Sequence, residues 1–187
     1  MKEYRSSIRS KNLIRTAMIE LLAEKDISKI TVVDIIKRAD LSRNTFYAHY
    51  QDVYAVIEEL ENEFLSEMNL YLDEAVQNKE FFEPLPLLQK FQRFIENSIE
   101  TNRLLLANQN AAAFCEKIKR IFIARVMENL PTTGVKDTEG FLIFLECLTG
   151  GFVSLYQKNL KNEATLTLDD ITTEINQIYI WGLKKYL

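Results

Sequence analysis

Apolar positions recur with a helical period along nearly the whole chain, and short polar segments separate the periodic stretches. The first stretch runs from Ser7 to Lys25, and a second begins at Thr31, which has the spacing of a helix-capping box with Asp34. Asp40 follows the second stretch and suits the left-handed conformation that ends many helices. The pattern therefore predicts two helices joined by a tight turn near the N-terminus.

A third, short helix is predicted after this turn, followed by a much longer fourth. Ser42 is placed to cap the short helix, which runs to about His49, and Asp52 is placed to cap the long one, which runs to about Val76. Helical periods continue to the C-terminus, with a bent or broken helix expected around residues 101–110, and no stretch predicts a strand convincingly. We predict an all-α fold of eight or nine helices, with an N-terminal three-helix domain (1–50) and a helical bundle (51–187).

The segment from Glu139 to Leu160 is apolar nearly all round, which predicts a helix buried on more than one side. This helix and the last one are the best candidates for a dimer surface, because Gly150, Gly151 and Gly182 permit helices to approach closely. The alternative is that these glycines serve packing within one chain.

Composition narrows the class of protein. Only 5 Gly and 3 Pro interrupt a chain that is 47% hydrophobic and 27% charged, as in a soluble helical protein. No apolar run approaches the roughly 18 residues of a membrane span, and the N-terminus has no secretion signal, so a cytoplasmic location is expected. Cys115 and Cys147 are too widely spaced for a metal site and are expected to be reduced packing residues, with redox sensing as the alternative.

Charge is distributed unevenly along the sequence. Residues 1–50 contain ten Lys and Arg against six Asp and Glu, whereas residues 51–187 contain 13 against 21. A basic N-terminal part on an acidic body suggests contact with a polyanion there. With one histidine, no Gly-rich phosphate loop and no metal-spaced cluster, the sequence predicts neither an enzyme nor a bound cofactor or metal.

The run TVVDIIKRADLSRNTFYAHY has the frame of a helix-turn-helix. Ala39 is small enough for close helix packing, while Ile35, Leu41 and Phe46 are predicted to form a small core, with Tyr50 also facing inward. Polar side chains of the second helix then point outward, on a face that fits a DNA major groove about 12 Å wide.

The outward residues have chemistry suited to DNA. Arg can bond guanine and Asn can bond adenine bidentately, while hydroxyls at helix N-termini and uncharged donors suit phosphates. For His49 a local hydrogen bond is an equal alternative, and the basic N-terminal residues would act as a flexible arm or remain solvated. The candidate contacts are Arg5, Arg9, Lys11, Thr31, Ser42, Arg43, Asn44, Tyr47 and His49.

This run resembles the signature of the TetR/AcrR transcriptional regulators over about residues 7–60. The matching positions are Thr31, Ile35, Ala39, Ser42, Thr45, Phe46, Tyr47, His49 and Tyr50. The resemblance implies that Thr31, Tyr47 and His49 contact the DNA backbone. It further implies that Arg43, Asn44 and Thr45 read bases.

Two departures from the family pattern stand out. Asp40 occupies a position where the family often has Gly, and Val53 occupies one where it usually has a Lys that contacts phosphate. Either Lys37 or the N-terminal arm is expected to supply part of the missing contact, or the affinity for DNA is lower.

The resemblance also implies a ligand pocket among the middle helices, linked to the DNA-binding domain by the long fourth helix. The candidate ligand-binding residues are aromatic: Phe64, Tyr71, Phe91, Phe94, Phe114 and Phe122. The resulting hypothesis is a homodimeric repressor that a small apolar ligand releases from a palindromic operator in double-stranded DNA. A regulator without a ligand, or a helical adaptor that does not bind DNA, is the alternative.

Overall fold

The computed structural model describes residues 2–80, 83–107, 111–129, 134–163 and 165–186, with side chains from residue 6 onward. These residues form helices and connecting turns, and no strand occurs among them. The helices are α1 (Lys2–Glu24), α2 (Val32–Ala39), α3 (Arg43–Tyr47), α4 (Val53–Asn78), α5 (Leu85–Asn97), α6 (Ile99–Ala107), α7 (Ala111–Glu128), α8 (Thr138–Leu160) and α9 (Leu168–Tyr186). The all-α prediction is confirmed.

The chain divides into two compact units, an N-terminal unit (Met1–Phe64) and a C-terminal unit (Leu65–Leu187). The boundary falls within α4, because the first turns of that helix place Val53 and Val56 in the core of the N-terminal unit. The prediction that residues 1–50 and 51–187 have different functions concerns function and not packing, and it stays a prediction.

The N-terminal unit is built around side chains that α1, α2, α3 and α4 all supply. Ile14, Met18, Ile35, Phe46 and Val56 are fully buried in this core. The inward positions of Ile35 and Phe46 follow the sequence-based prediction. Because α3 has only five residues, its orientation depends on this packing rather than on its own helical stability.

The break between α5 and α6 has a local cause. Ser98 leaves the helical conformation, with φ −130° and ψ 45°. The buried side chain of Asn102 donates hydrogen bonds to the carbonyls of Phe94 at 3.1 Å and Ile95 at 3.2 Å. These bonds satisfy carbonyl groups that the end of α5 leaves without helical partners. The predicted bend or break at residues 101–110 is therefore misplaced: the break lies at residue 98, and α6 continues through residues 101–107. Residues 108–110 lie outside the described part of the structure.

Helices α8 and α9 pack closely along each other in the C-terminal unit. Gly182 lies against the ring of Phe144, so that any larger side chain at position 182 would collide with it. Tyr156 and Thr172 share a buried hydrogen bond of 2.9 Å between their hydroxyl groups. Gly182 thus serves packing within the chain, as the alternative interpretation of the glycines proposed.

Candidate functional site

Local hydrogen bonds define the helix-turn-helix. Thr31 Oγ1 accepts a bond from the Asp34 backbone N–H at 3.2 Å, and the Asp34 carboxylate accepts one from the Thr31 backbone N–H at 2.8 Å. Asp40 ends α2 in the left-handed conformation (φ 52°, ψ 52°), and Ser42 Oγ accepts from the Thr45 N–H at 3.1 Å to start α3. The predicted capping box, turn and cap are all confirmed.

The two sides of α3 differ sharply in exposure. Phe46 is fully buried, whereas the neighbouring Tyr47 is 49% exposed. Arg43 and Asn44 are also exposed, and the Arg43 guanidinium lies 5.9 Å from the centre of the Tyr47 ring. Arg43 has no carboxylate partner in the part of the chain that the structure describes. The structure thus brings these three predicted contact residues together on one open face.

The two arginines of the helix-turn-helix have different environments. Arg38, on α2, bonds Glu20 at 3.2 Å and Glu24 at 2.8 Å on α1. Its pKa is raised, chiefly by the hydrogen bond to Glu24 and then by that to Glu20. Arg38 therefore holds α2 against α1, whereas Arg43 forms no ion pair with a carboxylate among the described residues.

The predicted hydroxyl contacts already take part in helix caps. Thr31 Oγ1 donates to the Asp34 carboxylate at 2.7 Å, and Ser42 Oγ shares a 2.8 Å hydrogen bond with Thr45 Oγ1. Thr31 and Ser42 are exposed, Thr45 is half-buried, and Lys37 is exposed on α2. Each of these residues lies at the outer side of the helix-turn-helix, but Thr31 and Ser42 also stabilise it.

The N-terminal residues form helix rather than a flexible arm. α1 begins at Lys2, and no Gly or Pro interrupts it. Arg9 is exposed on this helix, and the side chain of Arg5 lies outside the described part of the structure. Lys11 forms an ion pair with Glu59 of α4 at 2.8 Å, so its amine already has a partner.

His49 occupies a half-buried position beside α1. Its Nε2 lies 2.7 Å from Ser10 Oγ, which is the local hydrogen bond that the sequence left open. This bond fixes the ring next to the exposed face of α3. Ser10 is not among the predicted contacts, because an isolated serine in a helix gives no signal in the sequence. The DNA contact predicted for His49 stays a prediction.

Val53 is a core residue, only 7% exposed, at the first position of α4. The aliphatic side chain fills space between α4 and the rest of the N-terminal unit. Val53, which stands where the family usually has a Lys, therefore has a structural role in this core.

A largely apolar cavity of about 100 Å³ lies within the C-terminal unit, between α4, α5, α6, α7, α8 and α9. Six of the 20 described lining residues are aromatic, and the rings of Phe152 and Tyr156 are centred 4.3 Å apart. Of the predicted ligand-binding residues, the structure places three on this wall: Tyr71, Phe91 and Phe122. Phe64, Phe94 and Phe114 are buried elsewhere in the cores and do not line it.

Sequence reasoning missed the wall that α8 supplies. Thr149 and Gln157 line the cavity together with Phe152 and Tyr156, although the sequence pattern of α8 predicts only a dimer surface. The signal was present: Thr149 and Gln157 are polar positions eight residues apart, and so on similar sides of an otherwise apolar helix.

Helix α8 also carries apolar side chains that the isolated chain leaves open, and its burial on more than one side stays a prediction. Leu142 and Ile143 are 38% and 66% exposed, and on α9 Ile178 and Trp181 are 50% and 76% exposed. We call these four residues the α8–α9 face. One chain therefore buries a single stripe of α8 and leaves other apolar side chains uncovered.

The glycines and cysteines of the C-terminal unit also fall into two groups. Side chains added at Gly150 or Gly151 would meet nothing within 4 Å, so these two glycines, unlike Gly182, are not required by packing within the chain.

Cys115 is buried as predicted, whereas Cys147 is exposed, so the packing role predicted for Cys147 is wrong.

By length and composition, α8 is a candidate membrane span among the described residues, with mean hydropathy 1.4 over 18 residues and 17% of that window buried. The expectation that no segment has these properties is therefore wrong for α8. An uninterrupted apolar run of this length is absent from the α8 sequence because Glu146 divides the run in two. One such helix is weak support for a membrane location.

Comparisons with known proteins agree with this geometry. Residues 14–60 match the family described as bacterial regulatory proteins, tetR family. An uncharacterised HTH-type transcriptional regulator, YxbF of Bacillus subtilis, is 34% identical over 47 residues, which are 25% of this chain and 12% of that relative. The chain thus spans a small part of that relative's length.

Similarity to solved structures extends over nearly the whole chain. A TetR transcriptional regulator from Streptococcus agalactiae has a TM-score of 0.63 at 23% identity, covering 96% of this chain and 98% of its own. A transcriptional regulator from Aquifex aeolicus has a TM-score of 0.64 at 22% identity, covering 95% and 99%. These likenesses show that both units share the fold of such regulators.

Proposed function

We propose that this chain, which belongs to the TetR family of bacterial regulatory proteins, acts in the cytoplasm as a homodimeric repressor that a small apolar ligand releases from its operator. The observation that carries this proposal is the open face of α3, where Arg43, Asn44 and Tyr47 lie together beside the buried Phe46. The family consists of regulators and not of enzymes, in agreement with the predicted lack of catalytic activity.

On DNA, the exposed face of α3 enters the major groove. Arg43 and Asn44 read bases with Thr45 beside them, each bidentate pair contributing about 1–3 kcal/mol of discrimination. Tyr47 and His49 donate to phosphates, and so do the free backbone N–H groups at the starts of α2 and α3, beside Thr31 and Ser42. Lys37 and Arg9 add positive charge around this surface, and we assign Lys11 a smaller part because Glu59 already neutralises it.

The dimer forms through α8 and α9. The α8–α9 face exposes four large apolar side chains in the isolated chain, and the open surface at Gly150 and Gly151 leaves room for a second helix to approach. A symmetric dimer would present two copies of α3 to successive major grooves, about 34–36 Å apart or a multiple of that distance. A pseudo-palindromic operator follows from this symmetry.

The cavity of the C-terminal unit is the proposed effector site, with Tyr71, Phe91 and Phe122 on its wall. Helix α4 belongs to both units, so a ligand that favours one position of α4 would change the DNA-binding competence of the dimer. Coupling energies of about 1–3 kcal/mol are typical of such switches.

The proposal is tested by titrating the protein against DNA from upstream of its own gene, at two salt concentrations, with fluorescence anisotropy as the readout. We expect specific binding that weakens steeply with salt, because each phosphate contact adds about 0.9 to the logarithmic slope. Arg43→Ala should reduce the preference for the specific sequence over a scrambled one.

Arg93→Ala is the matched control, since it removes the same charge from an exposed position of α5. If Arg93→Ala and Arg43→Ala lower affinity equally and leave the sequence preference intact, α3 is not the reading helix. If no DNA is bound at low salt, the adaptor alternative replaces the proposal.

A further inference from the structure

The amine of Lys11 lies between α1, α4 and the segment that follows α3. Ser10 Oγ, on the preceding residue of α1, is 2.7 Å from His49 Nε2. Lys11 Nζ is 6.0 Å from the centre of the Tyr50 ring. The carboxylate of Glu59, in the second turn of α4, holds this amine at 2.8 Å. Lys11 therefore places a positive charge close to His49, which is assigned to a DNA phosphate.

The ion pair between Lys11 and Glu59 lies near the surface and can open. The side chain of Lys11 is 42% exposed and that of Glu59 is 24% exposed. Ion pairs in such positions shift the balance between paired and open forms by at most about fivefold. Because the lysine side chain is a flexible four-carbon stem, its amine can turn to another anion without movement of α1.

Glu59 has other partners at hand when Lys11 turns away. The Tyr50 hydroxyl and Glu59 Oε1 are both buried, and neither has a hydrogen-bond partner in the described part of the chain. Burial, and then the negative charge of Glu59, raise the pKa of Tyr50, so the phenol keeps its proton and lies near this carboxylate. Arg15, which also pairs with Glu63, has Nη1 3.7 Å from Glu59 Oε1. Tyr50 and Arg15 are thus placed to stabilise the carboxylate while the amine is bound elsewhere.

Resting on the proposed DNA-binding function, we propose that Lys11 binds a DNA phosphate in competition with Glu59, and that Glu59 thereby sets the affinity of the chain for DNA. In the absence of DNA, the carboxylate holds the amine. On DNA, a phosphate oxygen takes the place of the carboxylate, and Tyr50 and Arg15 bind Glu59 instead. Because phosphate contacts carry no base information, the effect is the same for every DNA sequence.

Glu59→Gln tests this competition, because the amide keeps the shape of the side chain and can still accept from Tyr50 but no longer attracts the amine. The full chain is titrated at low salt against a duplex from upstream of its own gene and against a scrambled duplex, with fluorescence anisotropy as the readout. We expect Glu59→Gln to bind both duplexes about three- to fivefold more tightly than the wild type.

Glu58→Gln is the matched control for this gain. It removes the same charge from the preceding position of α4, which is exposed and forms no ion pair with the described residues. We expect it to raise the affinity less than about twofold. A gain in Glu58→Gln as large as that in Glu59→Gln would overturn the proposal, because net charge alone would then explain both.

A double variant shows whether the gain depends on Lys11. In the wild type, the phosphate contact and the lost ion pair nearly offset each other, so Lys11→Gln should lower the affinity less than about twofold. In the Glu59→Gln background, it should lower the affinity at least about threefold and cancel the gain. Equal effects of Lys11→Gln in the two backgrounds contradict the competition.

Thermal melting provides an independent check on Glu59. Because the ion pair is near the surface and Glu59 has other partners, Glu59→Gln should melt within a few degrees of the wild type. A variant that fails to fold would overturn the proposal, since the ion pair would then hold the unit together rather than compete with DNA.

The same titrations separate this inference from the proposed function. If the wild type prefers the upstream duplex but Glu59→Gln gains no affinity, the inference fails and the regulator stands. If both duplexes bind alike and the gain depends on Lys11, the inference stands and the sequence-specific repressor fails. If neither duplex binds at low salt, both fail.

Discussion

Phe46 and Tyr47 are neighbours in sequence with opposite roles, and paired alanine substitutions separate the two. Phe46 is fully buried in the core of the N-terminal unit, with its ring 5.5 Å from that of Tyr47 and 6.0 Å from that of Tyr50. Tyr47 is 49% exposed on the face assigned to DNA. We expect Phe46→Ala to destabilise the N-terminal unit and Tyr47→Ala to weaken DNA binding.

The magnitudes follow from burial. Truncation of a fully buried Phe typically lowers the free energy of unfolding by about 3–5 kcal/mol. A unit of this size has about 3–10 kcal/mol in total, so Phe46→Ala removes a large part of it. At about 4–8 °C per kcal/mol, its melting temperature should fall by at least about 12 °C. Tyr47→Ala loses mainly an edge contact between rings, worth about 1 kcal/mol.

Thermal melting followed by circular dichroism measures the stability of each variant, and hydrogen exchange locates the change. In Phe46→Ala, amides of α1 and α2 should exchange faster while those of α9 are unaffected. Tyr47→Ala should keep near-native exchange but bind operator DNA more weakly. The reasoning is refuted if Tyr47→Ala lowers the melting temperature as much as Phe46→Ala, or if Phe46→Ala melts within a few degrees of the wild type.

Three other substitutions test the remaining assignments. Ile143→Glu places a charge on the α8–α9 face and should convert the dimer to a monomer in analytical ultracentrifugation; a dimer of unchanged affinity would contradict the interface. Gly182→Ala should destabilise the chain because its Cβ collides with Phe144, and thermal melting measures the loss, which should be absent for an Ala at Gly150. For Asp34, hydrogen bonds to Lys25 and then Thr31 hold the carboxyl pKa well below its ordinary value, so its stabilising effect is complete above about pH 4 and declines as the pH falls. Asp34→Asn should therefore be less stable than the wild type at neutral pH. In thermal melts, the difference between the two should become smaller as the pH is lowered.

The helix-turn-helix was predictable because its signals are local. The capping box at Thr31, the left-handed Asp40 and the cap at Ser42 each depend on residues within four positions of one another. Local chemistry of this kind can be identified in a sequence without knowledge of the tertiary structure.

The environment of individual charges was not predictable in the same way. Lys11 pairs with Glu59, which is 48 positions further along the chain, and nothing near Lys11 indicates this partner. Arg38 and Arg43 look alike in sequence, and only the tertiary structure shows that one is bound by Glu20 and Glu24.

Only three of the six predicted ligand-binding residues line the cavity, for a related reason. Aromatic residues on the middle helices are equally suited to a core and to a cavity, so Phe94 and Phe91 could not be separated by residue type. Likewise, the apolar character of α8 indicated burial but not whether the covering surface belongs to the same chain or to a second copy.

A footprint on the DNA upstream of the gene tests the central claim, that the exposed face of α3 binds DNA as part of a symmetric dimer. Hydroxyl-radical cleavage should show two protected half-sites related by a palindrome, with centres about 10–10.5 base pairs apart or a multiple of that spacing. Asn44→Ala should weaken protection at both half-sites together. A single unsymmetrical protected region, or protection that Asn44→Ala leaves unchanged, would contradict the account.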